Sequence, residues 1–174
     1  FIEYIRAALE MVTKGFSYES VFRYLRCDMS GLGREQVDML ENYVLALGIH
    51  GYKKWSEKWV RVYRTMDPED IQVLNEYREI FVREAEILAQ GFSSGKRKVC
   101  EYCYSLYQFI ASCEIQKKLK KQELFFKEKG EKALEKEYAQ IYGIVMELLD
   151  RMVEILGEEE ITRTEFVQLL ETGF

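Results

Sequence analysis

Residues 67–91, DPEDIQVLNEYREIFVREAEILAQG, contain the clearest helix signal in the chain. Asp67 is a suitable N-cap, Pro68 suits the first helical position, and the acids that follow favour the positive end of the helix dipole. Apolar residues then recur at spacings of three and four, which is the period of a helix with one buried face. These positions are Ile71, Leu74, Tyr77 or Arg78, Phe81, Ala85 and Leu88. We therefore predict a helix that ends near Gly91.

The sequence before this helix predicts three further helices, within residues 1–48. Apolar residues at helical spacing open the chain, and Ser17 is a suitable N-cap for the second helix. The third helix begins near Arg34, and Gly48 stands where a left-handed C-terminal cap is expected. Periodicity then disappears over residues 49–66, which we interpret as an ordered loop.

Residues 67–174 predict long helices followed by a short last helix. Apolar spacing favours a long antiparallel helical hairpin at about 98–157. Thr162 and Glu165 have the spacing of a capping box, which predicts the start of the last helix. The single proline of the chain agrees with long helices that have few breaks. The whole pattern predicts an all-α fold of about seven helices in one domain, residues 1–174.

Composition and charge restrict the class of protein. Hydrophobic residues make up 48% of the chain, which is enough for a core and excludes intrinsic disorder. The net charge of −5 argues against a strongly basic, freestanding nucleic-acid binder. The sequence has no long apolar stretch and no secretory signal, so we expect a cytoplasmic protein without a membrane partner. Because the chain begins inside an amphipathic pattern without Met, we expect a piece of a larger protein.

Few residues in the chain are suited to catalysis. His50 is the only histidine, so histidine-based triads and His-rich metal sites have almost no residues available. Cys100, Cys103 and Cys113 fall on a predicted helix with no loop to wrap a metal ion, and we interpret them as buried structural thiols. The loop after Gly91 lacks the spacing and the hydroxyl of a phosphate-binding loop. We therefore expect no enzyme activity, no metal and no cofactor in this chain.

The predicted loop at residues 49–66 is both basic and aromatic. Cations of Lys and Arg outnumber the single acid Glu57, and such cations neutralise phosphates while exposed tryptophans stack on unpaired bases. The candidate nucleic-acid-binding residues are Lys53, Lys54, Trp55, Lys58, Trp59 and Arg61. The alternative is that the tryptophans anchor the loop to the core, with the cations solvated around them.

Some motifs are more restrictive than helical spacing. They are residues 15–26 (GFSYESVFRYLR), residues 35–45 with LENY at 40–43, Gly48-Ile49-x-Gly51 followed by Trp55, and residues 165–173 (EFVQLLETG). This set resembles the B subunit of bacterial AddAB, an ATP-dependent helicase and nuclease component that is called RexB in some lineages. The resemblance brackets nearly the whole chain, and its first third is the specific part.

The resemblance implies a non-catalytic helical subdomain in the helicase-like region of that protein, which acts in DNA double-strand break repair and homologous recombination. It also implies the helicase/nuclease A subunit as a heterodimeric partner, and DNA as a ligand of the complex. The iron–sulfur cluster, magnesium and nuclease site of the family lie outside the region that this chain resembles, so no catalytic residue is carried over. We therefore expect the chain to position DNA and to pack against the A subunit. Two alternatives stay open, a purely structural interaction domain without DNA contact and an unrelated helical regulator.

Overall fold

The structure, a computed structural model, describes residues 1–174. It is 71% helical, with nine helices and one small sheet, which confirms the predicted all-α fold. In chain order, helices α1 to α9 are Ile2–Thr13, Tyr18–Leu25, Arg34–Leu47, Tyr52–Ser56, Asp70–Gly91, Val99–Ser112, Ile115–Glu128, Lys132–Leu156 and Arg163–Glu171. The strands β1 and β2 are Lys96–Lys98 and Glu160–Thr162. No helix combines the length and the apolar composition needed to cross a membrane.

The chain divides into two compact units. One unit is Glu3–Gln90, and the other is Gly91–Phe174 together with Phe1 and Ile2. Helical periodicity identifies the buried face of each helix but not the faces that pack together. The division was therefore not visible in the sequence.

Several predicted helix ends are confirmed, because caps depend on residues close in sequence. The Ser17 hydroxyl accepts a hydrogen bond from the backbone N–H of Ser20 at the start of α2. Gly48 ends α3 in the left-handed conformation, with φ of 65°. The regular part of helix α5 begins at Asp70, after a turn in which the N–H of Asp70 donates to the carbonyl oxygen of Asp67 at 3.0 Å. The side chain of Asp67 accepts from the N–H of Glu69, the bond expected of an N-cap.

An aromatic cluster forms the centre of the unit Glu3–Gln90. Phe81 of α5 is fully buried, and its ring lies 4.6 Å from Trp55, 6.0 Å from Tyr24 and 6.5 Å from Phe16, measured between ring centroids. These rings come from separate parts of the chain, so their burial joins α2 and the segment around α4 to α5. Each large apolar side chain buried in this way contributes about 1.5–3 kcal/mol of hydrophobic stabilisation.

In the other unit, the predicted hairpin at 98–157 has a broken first arm. Helices α6 and α7 form that arm and both pack against α8. The break falls at Glu114, whose φ of 53° is left-handed and cannot continue a helix. This break and the short helix α4 raise the number of helices from the predicted seven to nine. Near the hairpin turn, Phe126 of α7 stacks on Tyr138 of α8 with ring centroids 5.3 Å apart.

The small sheet was not predicted, because strands of three residues are too short to show an alternating pattern. Strands β1 and β2 are antiparallel, with Arg97 opposite Ile161. Each strand leads directly into a helix, and a glutamate in the first turn of that helix accepts from the last N–H of the strand. The bonds are Lys98 N to Glu101 Oε2 and Thr162 N to Glu165 Oε1, both 3.0 Å. The predicted capping box at the start of α9 is therefore confirmed.

Candidate nucleic-acid interface

The predicted site lies in residues 52–64, which we call the basic segment. It starts with the five-residue helix α4, Tyr52–Ser56, and continues without regular secondary structure. The predicted loop at 49–66 is therefore mainly irregular but contains this short helix. Gly51, with φ of 85°, makes the turn into α4, a conformation that residues with a side chain rarely adopt.

Both tryptophans of the segment are buried. Trp55 is 1% exposed against Phe81, and Trp59 is 4% exposed and stacks on Tyr43 with ring centroids 4.7 Å apart. Because so little of either indole is exposed, neither can stack on a nucleic-acid base in this structure. The tryptophans of the candidate site are thus anchors in the core, the alternative that the sequence left open.

The backbone of the segment is held by Asn75, a buried residue of α5. The N–H of Trp59 donates to Asn75 Oδ1 at 2.9 Å, and Asn75 Nδ2 donates to the carbonyl oxygen of Trp59 at 2.8 Å. The same Nδ2 donates to the carbonyl oxygen of Ile71 at 2.9 Å. One amide side chain therefore satisfies both backbone groups of a residue that pairs with no strand.

A buried cation completes this anchor. Arg78, one turn after Asn75 on α5, is 4% exposed. Its Nε donates to Asn75 Oδ1 and its Nη1 to the carbonyl oxygen of Trp55, both at 2.9 Å, and its guanidinium lies 5.9 Å from the centre of the Trp59 ring. Burial lowers the pKa of Arg78 from its ordinary value. Its contacts make Arg78 a structural cation rather than a ligand for phosphate.

Sequence reasoning did not identify Asn75 or Arg78 as part of the site. A signal was present, because Arg78 occupies a position on the predicted apolar face of α5. A charged residue on a buried face needs hydrogen-bond partners, and here backbone carbonyl and amide oxygens supply them.

Two more side chains hold the backbone of the segment. The Tyr43 hydroxyl donates to the carbonyl oxygen of Arg61 at 2.7 Å, and Trp59 Nε1 donates to the carbonyl oxygen of Lys54 at 3.0 Å. Burial raises the pKa of Tyr43, which therefore stays a hydrogen-bond donor at neutral pH. Side chains thus fix the backbone on both sides of Trp59.

The cations of the candidate site are exposed. Lys53, Lys54, Lys58 and Arg61 all have solvent-exposed side chains. Only Lys54 has an acidic neighbour within ion-pair distance, Glu57, whose Oε2 lies 3.9 Å from its Nζ. Such an exposed pair contributes little to stability and is easily exchanged for another anion.

Two clefts flank Trp59. The first, of about 330 Å³, lies between the end of α3 and the basic segment and includes Lys54, Lys58 and Arg61 with Glu57 as its one acid. The second, of about 550 Å³, lies on the side of α5. It is lined by Lys58 with Glu76 and Glu79, along with the neutral residues Trp59, Val60, Ile71, Gln72 and Asn75. Three of the four predicted cations therefore meet at the first cleft, and Lys53 lies outside it.

All cysteines except Cys27 lie in the unit formed by Gly91–Phe174 with Phe1 and Ile2. Cys103 and Cys113 are buried and Cys100 is partly buried, in line with structural thiols. Burial raises the pKa of Cys103 to about 12, which keeps it protonated. No three side chains of His, Cys, Asp or Glu lie close enough together to hold a metal ion.

The fold and the site together define a helical protein with exposed cations on the basic segment. Buried aromatic and polar side chains fix the backbone of that segment. No protein-family model matches the chain. It is 38% identical, over 99% of its length, to the B subunit of the ATP-dependent helicase/deoxyribonuclease of Lachnoclostridium phytofermentans. The proteins of the same name from Clostridium novyi and Caldanaerobacter subterraneus are 40% and 39% identical over 98% and 99% of the chain.

These matches confirm the resemblance inferred from the sequence. The chain is homologous, from end to end, to one region of the B subunit of ATP-dependent helicase/deoxyribonuclease. It spans only about 15% of the length of these curated relatives.

Proposed function

We propose that this chain is a non-catalytic helical part of the B subunit of a helicase/deoxyribonuclease, and that it contacts DNA through the basic segment. The observation that carries the proposal is that Lys53, Lys54, Lys58 and Arg61 are exposed while the backbone between them is fixed. Asn75 of α5 fixes it through two hydrogen bonds to Trp59. The wider setting is part of the same proposal and rests on the resemblance described above. The chain would serve a complex with the A subunit, acting in the cytoplasm in double-strand break repair and homologous recombination.

Physical chemistry supports this role for the basic segment. Binding to DNA is driven largely by release of counterions when Lys and Arg neutralise phosphates. A backbone that is already ordered removes part of the entropic cost of bringing cations to the strand. The net charge of −5 opposes binding over the rest of the surface, so we expect weak, salt-sensitive affinity that the full complex would increase.

The test is fluorescence anisotropy of labelled single-stranded and duplex DNA with this chain, at low and moderate salt. The variant Lys53→Glu, Lys54→Glu, Lys58→Glu should abolish binding. The control variant Lys117→Glu, Lys120→Glu, Lys121→Glu makes the same change in charge on exposed lysines of α7. This control should retain most of the DNA binding. With four phosphate contacts, the logarithm of the single-strand affinity should fall with the logarithm of salt with a slope of about −3.

Two results would overturn the proposal. One is the absence of binding by the unmodified chain at the lowest salt. The other is an equal loss of affinity in both triple variants, which would indicate a general charge effect rather than a contact by the basic segment. Circular dichroism of each variant verifies that it is folded.

A second candidate function is packing against the A subunit without DNA contact. Large apolar side chains exposed on α8 favour it, with Ile155 74% and Ile144 54% exposed. If this is the function, Ile155→Glu should weaken binding of the chain to the A subunit in surface plasmon resonance. The control Leu124→Glu, on the exposed side of α7, should not.

A further inference from the structure

We propose that the cleft between α3 and the basic segment receives one unpaired nucleotide of a DNA single strand. The inference rests on the proposed function and goes beyond it, because it names a site and the form of DNA that enters it. The two buried tryptophans cannot stack on a base. An apolar contact with a base would therefore have to come from other side chains, and those of the cleft lie beside the cations.

The interior of the cleft is suited to a nucleobase. Leu47, Ile49 and Val60 contribute apolar surface, and the stacked pair of Tyr43 and Trp59 lies beside them. The volume of about 330 Å³ is at the lower end of the range of about 300–1,000 Å³ that is usual for small-ligand sites. An unpaired base presents an apolar face that such a cleft would remove from water.

The rim of the cleft is suited to phosphates. Lys54, Lys58 and Arg61 line it, and the only acid is Glu57, in a weak exposed pair with Lys54. Lysine binds phosphate as a point charge, whereas a guanidinium also stacks on the face of a base. Proteins that hold single strands without sequence preference combine a positively charged groove with a surface on which bases stack. In this cleft the aliphatic side chains of Leu47, Ile49 and Val60 would provide that surface.

The cleft on the side of α5 shows that charge, not size, distinguishes the two. That cleft is larger, about 550 Å³ against about 330 Å³, and it also borders Trp59 and Val60. It contains Glu76 and Glu79, however, whose carboxylates would repel a phosphate. Of these two clefts, the one beside α3 combines apolar walls with a positive rim.

A duplex would not fill this cleft. The bases of a duplex are paired and stacked. Moving one of them into the cleft requires free energy to break its pairing, which is not needed for a base of a single strand. The cleft is also held in shape, because the Tyr43 hydroxyl bonds the carbonyl oxygen of Arg61 at 2.7 Å and Asn75 bonds Trp59. We therefore expect a single strand to bind more tightly than a duplex with the same number of phosphates.

The experiment compares an oligothymidylate with a blunt DNA hairpin of equal phosphate number, using the chain and two matched variants. Val60→Asp places a carboxylate in the cleft, whereas Val62→Asp places it on the same segment outside the cleft. Both valines are exposed, at 73% and 42%, so neither change disturbs the core. Binding is followed by anisotropy and by quenching of tryptophan fluorescence, since both tryptophans of the chain lie in the basic segment.

We expect tighter binding of the single strand than of the hairpin, and about tenfold weaker single-strand binding by Val60→Asp than by Val62→Asp. The two variants should bind the hairpin equally. Thymidine monophosphate distinguishes a strand from a free nucleotide, and it should bind far more weakly than the oligothymidylate because it lacks the flanking phosphates.

Four results would overturn the inference. Equal effects of the two aspartates on the single strand, or equal affinity for strand and hairpin, would remove the cleft from DNA binding while the lysine contacts of the proposed function stand. Binding of thymidine monophosphate as tight as that of the strand would assign the cleft to a free nucleotide. Absence of all DNA binding by the unmodified chain would remove the proposed function as well.

Discussion

The side-chain amide of Asn75 hydrogen-bonds both backbone groups of Trp59, accepting from its N–H at 2.9 Å and donating to its carbonyl oxygen at 2.8 Å. A neighbouring β-strand would satisfy Trp59 in the same way, but this part of the chain is helical and irregular. Because both groups are buried, leaving them without partners would be costly. A single residue of α5 thus satisfies the backbone of the basic segment at Trp59, while Arg78 and Tyr43 hold it on either side.

Asn75→Ala should therefore strongly destabilise the unit Glu3–Gln90. The change removes the partners of buried groups on Trp59 and Arg78, and we expect a loss of about 2–4 kcal/mol in the free energy of unfolding. Urea unfolding followed by tryptophan fluorescence measures this loss. Asn42→Ala, at an exposed position of α3, is the control and should change stability by less than about 0.5 kcal/mol. Equal effects of the two substitutions would show that the Asn75 bonds do not hold the segment.

Thiol labelling should separate Cys103 from Cys100. Cys103 is fully buried and burial raises its pKa to about 12, so almost no thiolate is present at pH 8. Cys100, three residues earlier, is partly exposed. With Ellman's reagent at pH 8, Cys100→Ser should therefore show one fast-reacting thiol fewer than wild type, whereas Cys103→Ser should show the same number as wild type. Loss of a fast thiol in Cys103→Ser would contradict the buried position of that side chain.

The capping box at the start of α9 should make stability depend on pH. Hydrogen bonds from the backbone N–H and the side chain of Thr162 lower the pKa of Glu165 below its ordinary value of 4.5. A carboxyl group with a lowered pKa stabilises the fold above its unfolded-state pKa, and this contribution is lost as pH falls through the folded-state pKa. Wild type should exceed Glu165→Gln in melting temperature near pH 7, and the difference should shrink as pH falls through the folded-state pKa, which lies below 4.5.

Circular dichroism melts at a series of pH values provide this measurement. Glu154→Gln, at an exposed position of α8, is the matched control and should follow wild type across the series. A pH-independent difference between wild type and Glu165→Gln would mean that the carboxylate charge does not contribute to the cap.

Local features of the fold could be predicted and features that depend on packing could not. The caps at Ser17, Gly48 and Thr162 were predicted because each involves residues within a few positions of one another. The left-handed break at Glu114 was missed, because the strongly charged sequence after it is as compatible with one continuous helix as with two. At the candidate site, the cations were identified from composition alone, whereas the supporting role of Asn75 depends on contacts across 16 positions of the chain.

The sequence by itself determined an all-α protein, the positions of most helix ends, the basic segment and the relationship to the B subunit of helicase/deoxyribonuclease. The fold class, the helix ends and the basic segment follow from spacing, capping and composition, which are local or additive. The relationship rests on the resemblance of motifs such as residues 15–26 and 40–43. Tertiary structure alone decided that Trp55 and Trp59 face the core, and that Lys54, Lys58 and Arg61 line one cleft. The physical reason is that burial and cleft shape depend on which distant faces pack together, a choice that no short stretch of sequence contains.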